Sequence, residues 1–218
     1  DGTTSRGLGD VYKRQTPNSE RTMGTYLGAS ERLVFNENFI EAANNSKILF
    51  SEGYQFTSDE NFSAFLNILK STEQKTKLAL SLSDPGVVET FKNRFREVFK
   101  VRKVDYLFCN KEEATSLVGN NFVKDLGDLA VNFVVTNGAE SSFVVENGSY
   151  AEIKAKNVKA IDSNGAGDIF AGAALNKIIE EESFLNACKF GNYASSKIVQ
   201  EKSPRLSVDQ YKKLKADY

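Results

Sequence analysis

Ile161-Asp162-Ser163-Asn164-Gly165-Ala166-Gly167-Asp168 leads without a break into Ile169-Phe170-Ala171-Gly172-Ala173-Ala174-Leu175. The segment before it, Ala155 to Ile161, reads as a short extended stretch. The segment after it carries small and apolar residues at helical spacing, which places the glycines at a loop-to-helix junction. The first turn of a helix leaves backbone N–H groups unpaired and carries the positive end of the helix dipole. Glycines there let the backbone approach a ligand that a Cβ would exclude, so an anion is expected at this point. Asp168 falls inside the same turn. Its carboxylate repels a phosphate and cannot help to hold one by charge, but it can take a proton from a hydroxyl nucleophile. The juxtaposition suggests phosphoryl transfer to an alcohol. Plain turn chemistry, with an acidic residue favoured by the dipole alone, explains the local pattern equally well.

Taken whole, Asp162 to Ala173 resembles the D-T-x-G-A-G-D signature of the ribokinase, or PfkB, carbohydrate kinase family. The resemblance implies that Gly165, Ala166 and Gly167 form the anion hole for a transferring phosphoryl group and that Asp168 is the catalytic base. Ser163 stands where the family often has Thr, and keeps the hydroxyl. It also implies an α/β fold, a ribokinase-like three-layer α/β/α sandwich with a mainly parallel sheet. The implied activity is a kinase that uses ATP and Mg2+ to phosphorylate a primary alcohol of a nucleoside, adenosine-like, or of a sugar. The acceptor, the oligomeric state and a monovalent cation as a further cofactor stay open.

Further stretches join this reading. Asn110-Lys111-Glu112-Glu113 follows a strand directly, and Asn with Glu three residues on is a capping-box pattern in its own right. The family has N-x-x-E here, which implies that Asn110 and Glu113 organise magnesium, mainly through water, at the strand end where open α/β sheets bind ligands. Val134-Val135-Thr136-Asn137-Gly138-Ala139-Glu140-Ser141 resembles the family's V-T-x-G-x-x-G, with Ser141 in place of the second glycine; Thr136 and Gly138 are the implied nucleotide contacts. Asn192, in Gly191-Asn192-Tyr193-Ala194, stands where the family has an Asn beside the adenine, and helix packing is an equal reading of it. Thr16-Pro17-Asn18-Ser19-Glu20-Arg21-Thr22-Met23 is by itself a polar loop entering an extended segment. Beside the main motif it resembles T-P-D-x-x-R-T-M of adenosine-kinase-like members, with Asn18 for Asp, and makes Arg21 a candidate charge on the polyphosphate.

Asp10-Val11-Tyr12-Lys13-Arg14-Gln15 is what GATGTGTATAAGAGACAG encodes in frame, a string that resembles the transposon end of sequencing-library adaptors. Residues 1–15 are therefore read as a non-native tail and set aside. Residues 16–218 are read as the C-terminal portion of a PfkB-type kinase domain lacking the N-terminal strands, the lid and much of the sugar pocket. Such a piece leaves a second function open, a non-catalytic nucleotide-binding or structural remnant.

Composition narrows the field. The chain is 40% hydrophobic and 26% charged with a formal net charge of −1, and no apolar run is long enough to span a bilayer. Near-neutral charge without a basic stripe argues against nucleic acid as a partner, and the expected partner is a small nucleoside or sugar. There are 0 histidines, which removes Ser-His-Asp and Cys-His catalysis and the usual zinc-hydrolase sites. Cys109 and Cys188 lack metal-ligand spacing and read as buried reduced thiols of a cytoplasmic protein. Neither a Walker G-x-x-x-x-G-K-[S/T] nor a dinucleotide G-x-G-x-x-G is present.

Strand-like and helix-like segments alternate. Strands are expected at Lys47 to Phe50, Lys77 to Ser83, Tyr106 to Cys109 and Phe133 to Val135, with a hairpin turning at Asn147-Gly148. A helix capped by Thr57 with Glu60 should carry Phe62, Phe65, Leu66 and Leu69, and one opened by Pro85 should carry Phe91, Phe95 and Phe99. Further helices are expected at Lys111 to Val118, at about Gly165 to Glu181, Ser183 to Val199 and from Ser207. That order is the order of a mainly parallel sheet covered by helices.

Overall fold

The computed structural model describes residues 10–15, 21–31 and 36–218. β1 (Asp10–Gln15) and β2 (Arg21–Tyr26) pair antiparallel as a two-stranded sheet of their own, in a register running from Asp10 opposite Tyr26 to Gln15 opposite Arg21. Residues 10–15 of the segment set aside as non-native thus form a strand here; backbone pairing of this kind is open to any extended segment and says nothing of its origin. The strand also ends short of Pro17 and Asn18, which lie outside the described residues.

From α1 (Glu37–Asn44) onward the chain alternates. β3 (Ile48–Glu52), α2 (Asp59–Ser71), β4 (Lys77–Ser81), α3 (Pro85–Thr90), α4 (Lys92–Val101), β5 (Val104–Asn110), α5 (Lys111–Val118), α6 (Phe122–Leu129) and β6 (Ala130–Thr136) follow in order. β7 (Ser142–Glu146), β8 (Ser149–Ile153), α7 (Ala166–Ile179), α8 (Phe184–Ile198) and α9 (Val208–Ala216) complete it. The second sheet has six strands in the order β3-β4-β5-β6-β7-β8. Neighbours from β3 to β6 are parallel, because each is reached through helices, and β6-β7 and β7-β8 are antiparallel across short links. At the last link Asn147 (φ 48°) and Gly148 (φ 80°) both take the left-handed region that a two-residue hairpin turn demands.

Alternation along the strands builds two cores. Leu78, Leu80, Leu107, Cys109, Phe133 and Val135 face one side, against Phe62, Phe65, Leu66 and Leu69 of α2, Phe95 of α4 and Leu117 of α5. Ala79, Phe108, Val134 and Val144 face the other, against Phe170 and Ala174 of α7 and Phe184 and Cys188 of α8. The result is the expected three-layer α/β/α sandwich. Cys109 and Cys188 are both buried and unpaired, on opposite faces of the sheet. The Glu146 carboxylate, at the end of β7, accepts from the Phe184 N–H (2.6 Å) and the Leu185 N–H (3.3 Å), so a sheet residue caps the start of α8. Among the described residues no helix is long and apolar enough to cross a membrane.

Three local expectations give way to tertiary context. The N-cap of α2 is Ser58, accepting from the Asn61 N–H (3.1 Å), rather than Thr57. The Thr57 hydroxyl is already engaged, donating to the Tyr54 carbonyl (2.8 Å) at the end of a 3-10 turn. The helix opened by Pro85 breaks at Phe91, which ends α3 and starts α4; only Phe95 of the three phenylalanines is fully buried. Helix α6 was not foreseen, because Gly127 in its middle weakens the helical signal.

The parallel strands end on one side of the sheet, and the turn after β3 is fixed there by contact. The Gly53 N–H donates to Ser83 Oγ (2.8 Å), and a Cβ on Gly53 would lie 2.5 Å from the Leu82 carbonyl oxygen and 2.7 Å from the Phe95 ring. Gly53→Ala should destabilise the chain by about 1–3 kcal/mol, as overpacking does. Urea unfolding checks this, and a change under about 0.5 kcal/mol contradicts it.

Candidate active site

The Asp162–Gly167 loop is seated from below. The Ile161 and Asp162 N–H groups both donate to the Val199 carbonyl (2.6 and 3.2 Å), and the buried Asp162 carboxylate accepts from the Asn164 N–H (3.0 Å). Gly165 caps α7 at φ 77°, and the Ile169 N–H donates to its carbonyl (2.9 Å). A Cβ on Gly165 would lie 2.5 Å from the Pro204 carbonyl oxygen, so glycine is required here both by backbone conformation and by space. Gly167 is the opposite case: it is exposed, and a Cβ would meet nothing within 4 Å. Within the first turn the Ala166 N–H already donates to the Ser163 carbonyl (3.3 Å), which leaves those of Gly167 and Asp168 for a ligand.

Two clefts meet at this helix end. The smaller, about 250 Å3, is lined by Thr136, Gly138, Ser142, Lys156, Ser163, Ala166, Gly167 and Asn192, among others. The larger, about 630 Å3, is lined by Asp168 and Glu52 with residues of α7, α9 and the loop at Pro204-Arg205. Of the residues named from sequence, Thr136, Gly138, Asn192, Ala166 and Gly167 thus come together in one cleft. Asn192 also has a packing role, its Nδ2 donating to the Lys154 carbonyl (3.0 Å). Ser142 rather than Ser141 lines the wall where the resemblance has its second glycine. Arg21 begins β2, and its side chain lies outside the described residues.

Asn110 and Glu113 line neither cleft and form a reciprocal cap at the end of β5. Asn110 Oδ1 accepts from the Glu113 N–H (2.8 Å), and the two Glu113 oxygens accept from the Asn110 N–H (3.0 Å) and Nδ2 (2.7 Å). Burial, with Asp84 and Glu112 nearby, pushes the Glu113 carboxyl up to about 7 despite those hydrogen bonds. Among the described residues no group of three or more His, Cys, Asp or Glu is placed to hold a metal ion directly. Each Glu113 oxygen keeps a lone pair beyond its Asn110 bond. The pair therefore fits magnesium as outer carboxylate and amide oxygens acting through water, the habit of an ion that dehydrates reluctantly.

Two neighbours escaped the sequence reading. Glu52 ends β3 and shares the larger cleft with Asp168; burial and the Asp168 charge raise its carboxyl above the ordinary value. Tyr54 follows on a 3-10 turn, and burial with Asp84, Glu113, Asp168 and Glu52 around it pushes its phenol up to about 12, so it stays a neutral donor. Asp84, a polar residue just beyond the end of β4, caps α3 by accepting from the Gly86 (2.8 Å) and Val87 (3.0 Å) N–H groups. An acidic residue followed by glycine at a parallel strand's end was the available signal for Glu52.

The pattern of the pfkB family carbohydrate kinases matches residues 11–210, and the chain belongs to that family. Adenosine kinase 2 of Arabidopsis thaliana is 31% identical over 140 residues, which are 56% of this chain and 40% of the relative. A crystal structure of a probable sugar kinase protein from Rhizobium etli CFN 42 superposes with a TM-score of 0.89 at 23% identity, covering 97% of this chain and 66% of that one. Adenosine kinase from Sinorhizobium meliloti gives 0.86 at 24% identity, covering 96% of this chain and 66% of that one. At these identities the structural likeness is one of fold, and the chain spans less than two thirds of each of these three proteins.

The raised Glu113 carboxyl makes a stability prediction. Its folded-state value of about 7 exceeds the ordinary 4.5, so the native state binds the proton more tightly than the unfolded chain does. Stability should therefore fall as pH rises from about 4.5 through about 7, by up to roughly 3 kcal/mol, and level off above. Glu113→Gln keeps an acceptor for the Asn110 N–H, since Gln serves at that position, gives up the bond from Asn110 Nδ2, and should flatten this part of the profile. Urea unfolding at pH 5 and pH 8 checks it; equal slopes in both proteins contradict it.

Proposed function

We propose that the chain carries the phosphoryl-transfer machinery of an ATP-dependent kinase acting on a primary alcohol of a nucleoside or sugar. The supporting observation is that Gly167 and Asp168, consecutive residues in one helical turn, line different clefts. The nucleotide is assigned to the cleft of Thr136, Gly138 and Asn192, and the acceptor to the cleft of Asp168. The γ-phosphoryl group would then cross at Gly165, Ala166 and Gly167, where the first turn of the helix and its dipole meet the charge. The acceptor oxygen bonds to the γ-phosphorus, its proton passes to the Asp168 carboxylate, and the bridging oxygen leaves with ADP. Positioning and charge stabilisation carry most of the acceleration, since little covalent chemistry falls to the protein.

Magnesium, when bound, neutralises developing charge on the phosphates. Asn110 and Glu113 would hold its waters, and Glu113 does so best once ionised. Arg21 is proposed as a further charge on the polyphosphate. The adenosine kinase likeness favours a nucleoside among the acceptors.

A second reading, a non-catalytic nucleotide-binding chain, draws on the exposure of Asp168 to solvent. Asp168→Asn separates the two. Under the kinase reading ATP-dependent phosphorylation of adenosine, ribose or fructose falls at least ~10²-fold while affinity for a non-hydrolysable ATP analogue holds within about twofold. Unchanged turnover in the variant removes Asp168 from the chemistry, whereas no turnover in the parent chain despite nucleotide binding favours the second reading.

A further inference from the structure

The wall of the larger cleft is acidic where transfer would occur. Glu52 and Asp168 both line it, with Asp84 and Glu113 close enough to act on the neighbouring Tyr54. A phosphoryl group arriving there meets like charge on the acceptor side, which the N–H groups of α7 offset only from the other side. Among the described residues two cations line the cleft, Arg205 and Lys215. Lys215 is committed to Glu180 (2.5 Å). The Arg205 guanidinium has no hydrogen bond or ion pair with another described residue.

The backbone brings Arg205 to the transfer point. Its predecessor, Pro204, supplies the carbonyl that rests on Gly165. Its successor, Leu206, is buried among Ile169, Phe190, Ala194, Ile198 and Leu214. Arg205 is thus held between two anchored residues, beside the glycine that shapes the anion hole and facing the cleft that Asp168 faces.

We propose that Arg205 is a catalytic residue of the transfer, its guanidinium holding phosphoryl oxygens from the acceptor side as the group passes to the alcohol. The inference rests on the kinase reading and adds a residue to it. As the acceptor oxygen–phosphorus bond forms and the bond to the ADP oxygen breaks, the acceptor proton goes to Asp168 and the electron pair to ADP. Arg205 exchanges no proton in this step. A planar fork of N–H donors matches phosphoryl oxygens and stays charged at any working pH.

Arg205→Ala and Arg205→Lys, compared with the parent chain in ATP-dependent phosphorylation of adenosine, ribose and fructose, test it. The Ala variant should lose about 10²-fold in kcat with both KM values within about threefold, as when one donor to a developing charge is removed. The Lys variant should recover part of kcat, since it keeps the charge and loses the fork. Thermal midpoints should be unchanged, because the side chain is exposed and unpaired. A kcat within twofold in the Ala variant overturns the inference and leaves the kinase reading standing; so does a rise in KM alone, or a loss of kcat tracked by a lower thermal midpoint. If the parent chain phosphorylates none of the three acceptors, the kinase reading fails and Arg205 falls with it.

Discussion

Gly165 resting on the Pro204 carbonyl is the contact on which the site depends. It holds the residue before α7 in a left-handed conformation and presses the Asp162–Gly167 loop against the loop that follows α8. The same contact fixes where the helix begins, and so which first-turn residue faces which cleft. Rotating the start of α7 by one residue would turn Asp168 by about 100°, the angular step of an α-helix, and remove it from the side it shares with Glu52. A single close approach thereby sets the relation between a helix N-terminus and a carboxylate.

The electrostatic character of the strand ends follows from the topology. Parallel strands deliver their last residues to one side of the sheet, and here those residues and their neighbours are Glu52, Asp84, Asn110 and Thr136. Burial without enough partners raises the Glu52 and Glu113 carboxyls and the Tyr54 phenol together. Such crowding opposes folding, and groups of this kind gather where chemistry needs perturbed proton affinity.

Much of this was legible before any coordinates. The stretch from Asp162 to Asp168 carries its signal locally, in glycine placement and an acidic first turn, and unbroken apolar runs such as Leu78-Ala79-Leu80 and Phe133-Val134-Val135 already mark strands of a sheet covered by helices. What stayed hidden depends on contacts between distant segments. Glu52 and Tyr54 are aimed by Gly53, which is fixed by Ser83, Leu82 and Phe95, some thirty to forty residues away in sequence. Thr57 looks like a better cap than Ser58 until its hydroxyl is seen bonded to Tyr54. Asn192 shares a cleft with Thr136 and Gly138, yet its amide is also engaged by Lys154, so the residue joins two readings that the sequence alone kept apart.

The cap that Glu146 places on α8 has a mechanical meaning. Since the hairpin holds the start of that helix through two N–H groups, and Asn192 further along ties it to the segment after β8, hairpin and helix are fastened at two points. Ser142 of the hairpin and Asn192 and Ser195 of the helix line the smaller cleft, so that wall is cross-braced. The turn at Asn137-Gly138 on the same cleft is held by bonds within itself, the Glu140 N–H to the Asn137 carbonyl (3.0 Å) and the Asn137 amide to Glu140, and its left-handed glycine leaves the backbone local freedom there.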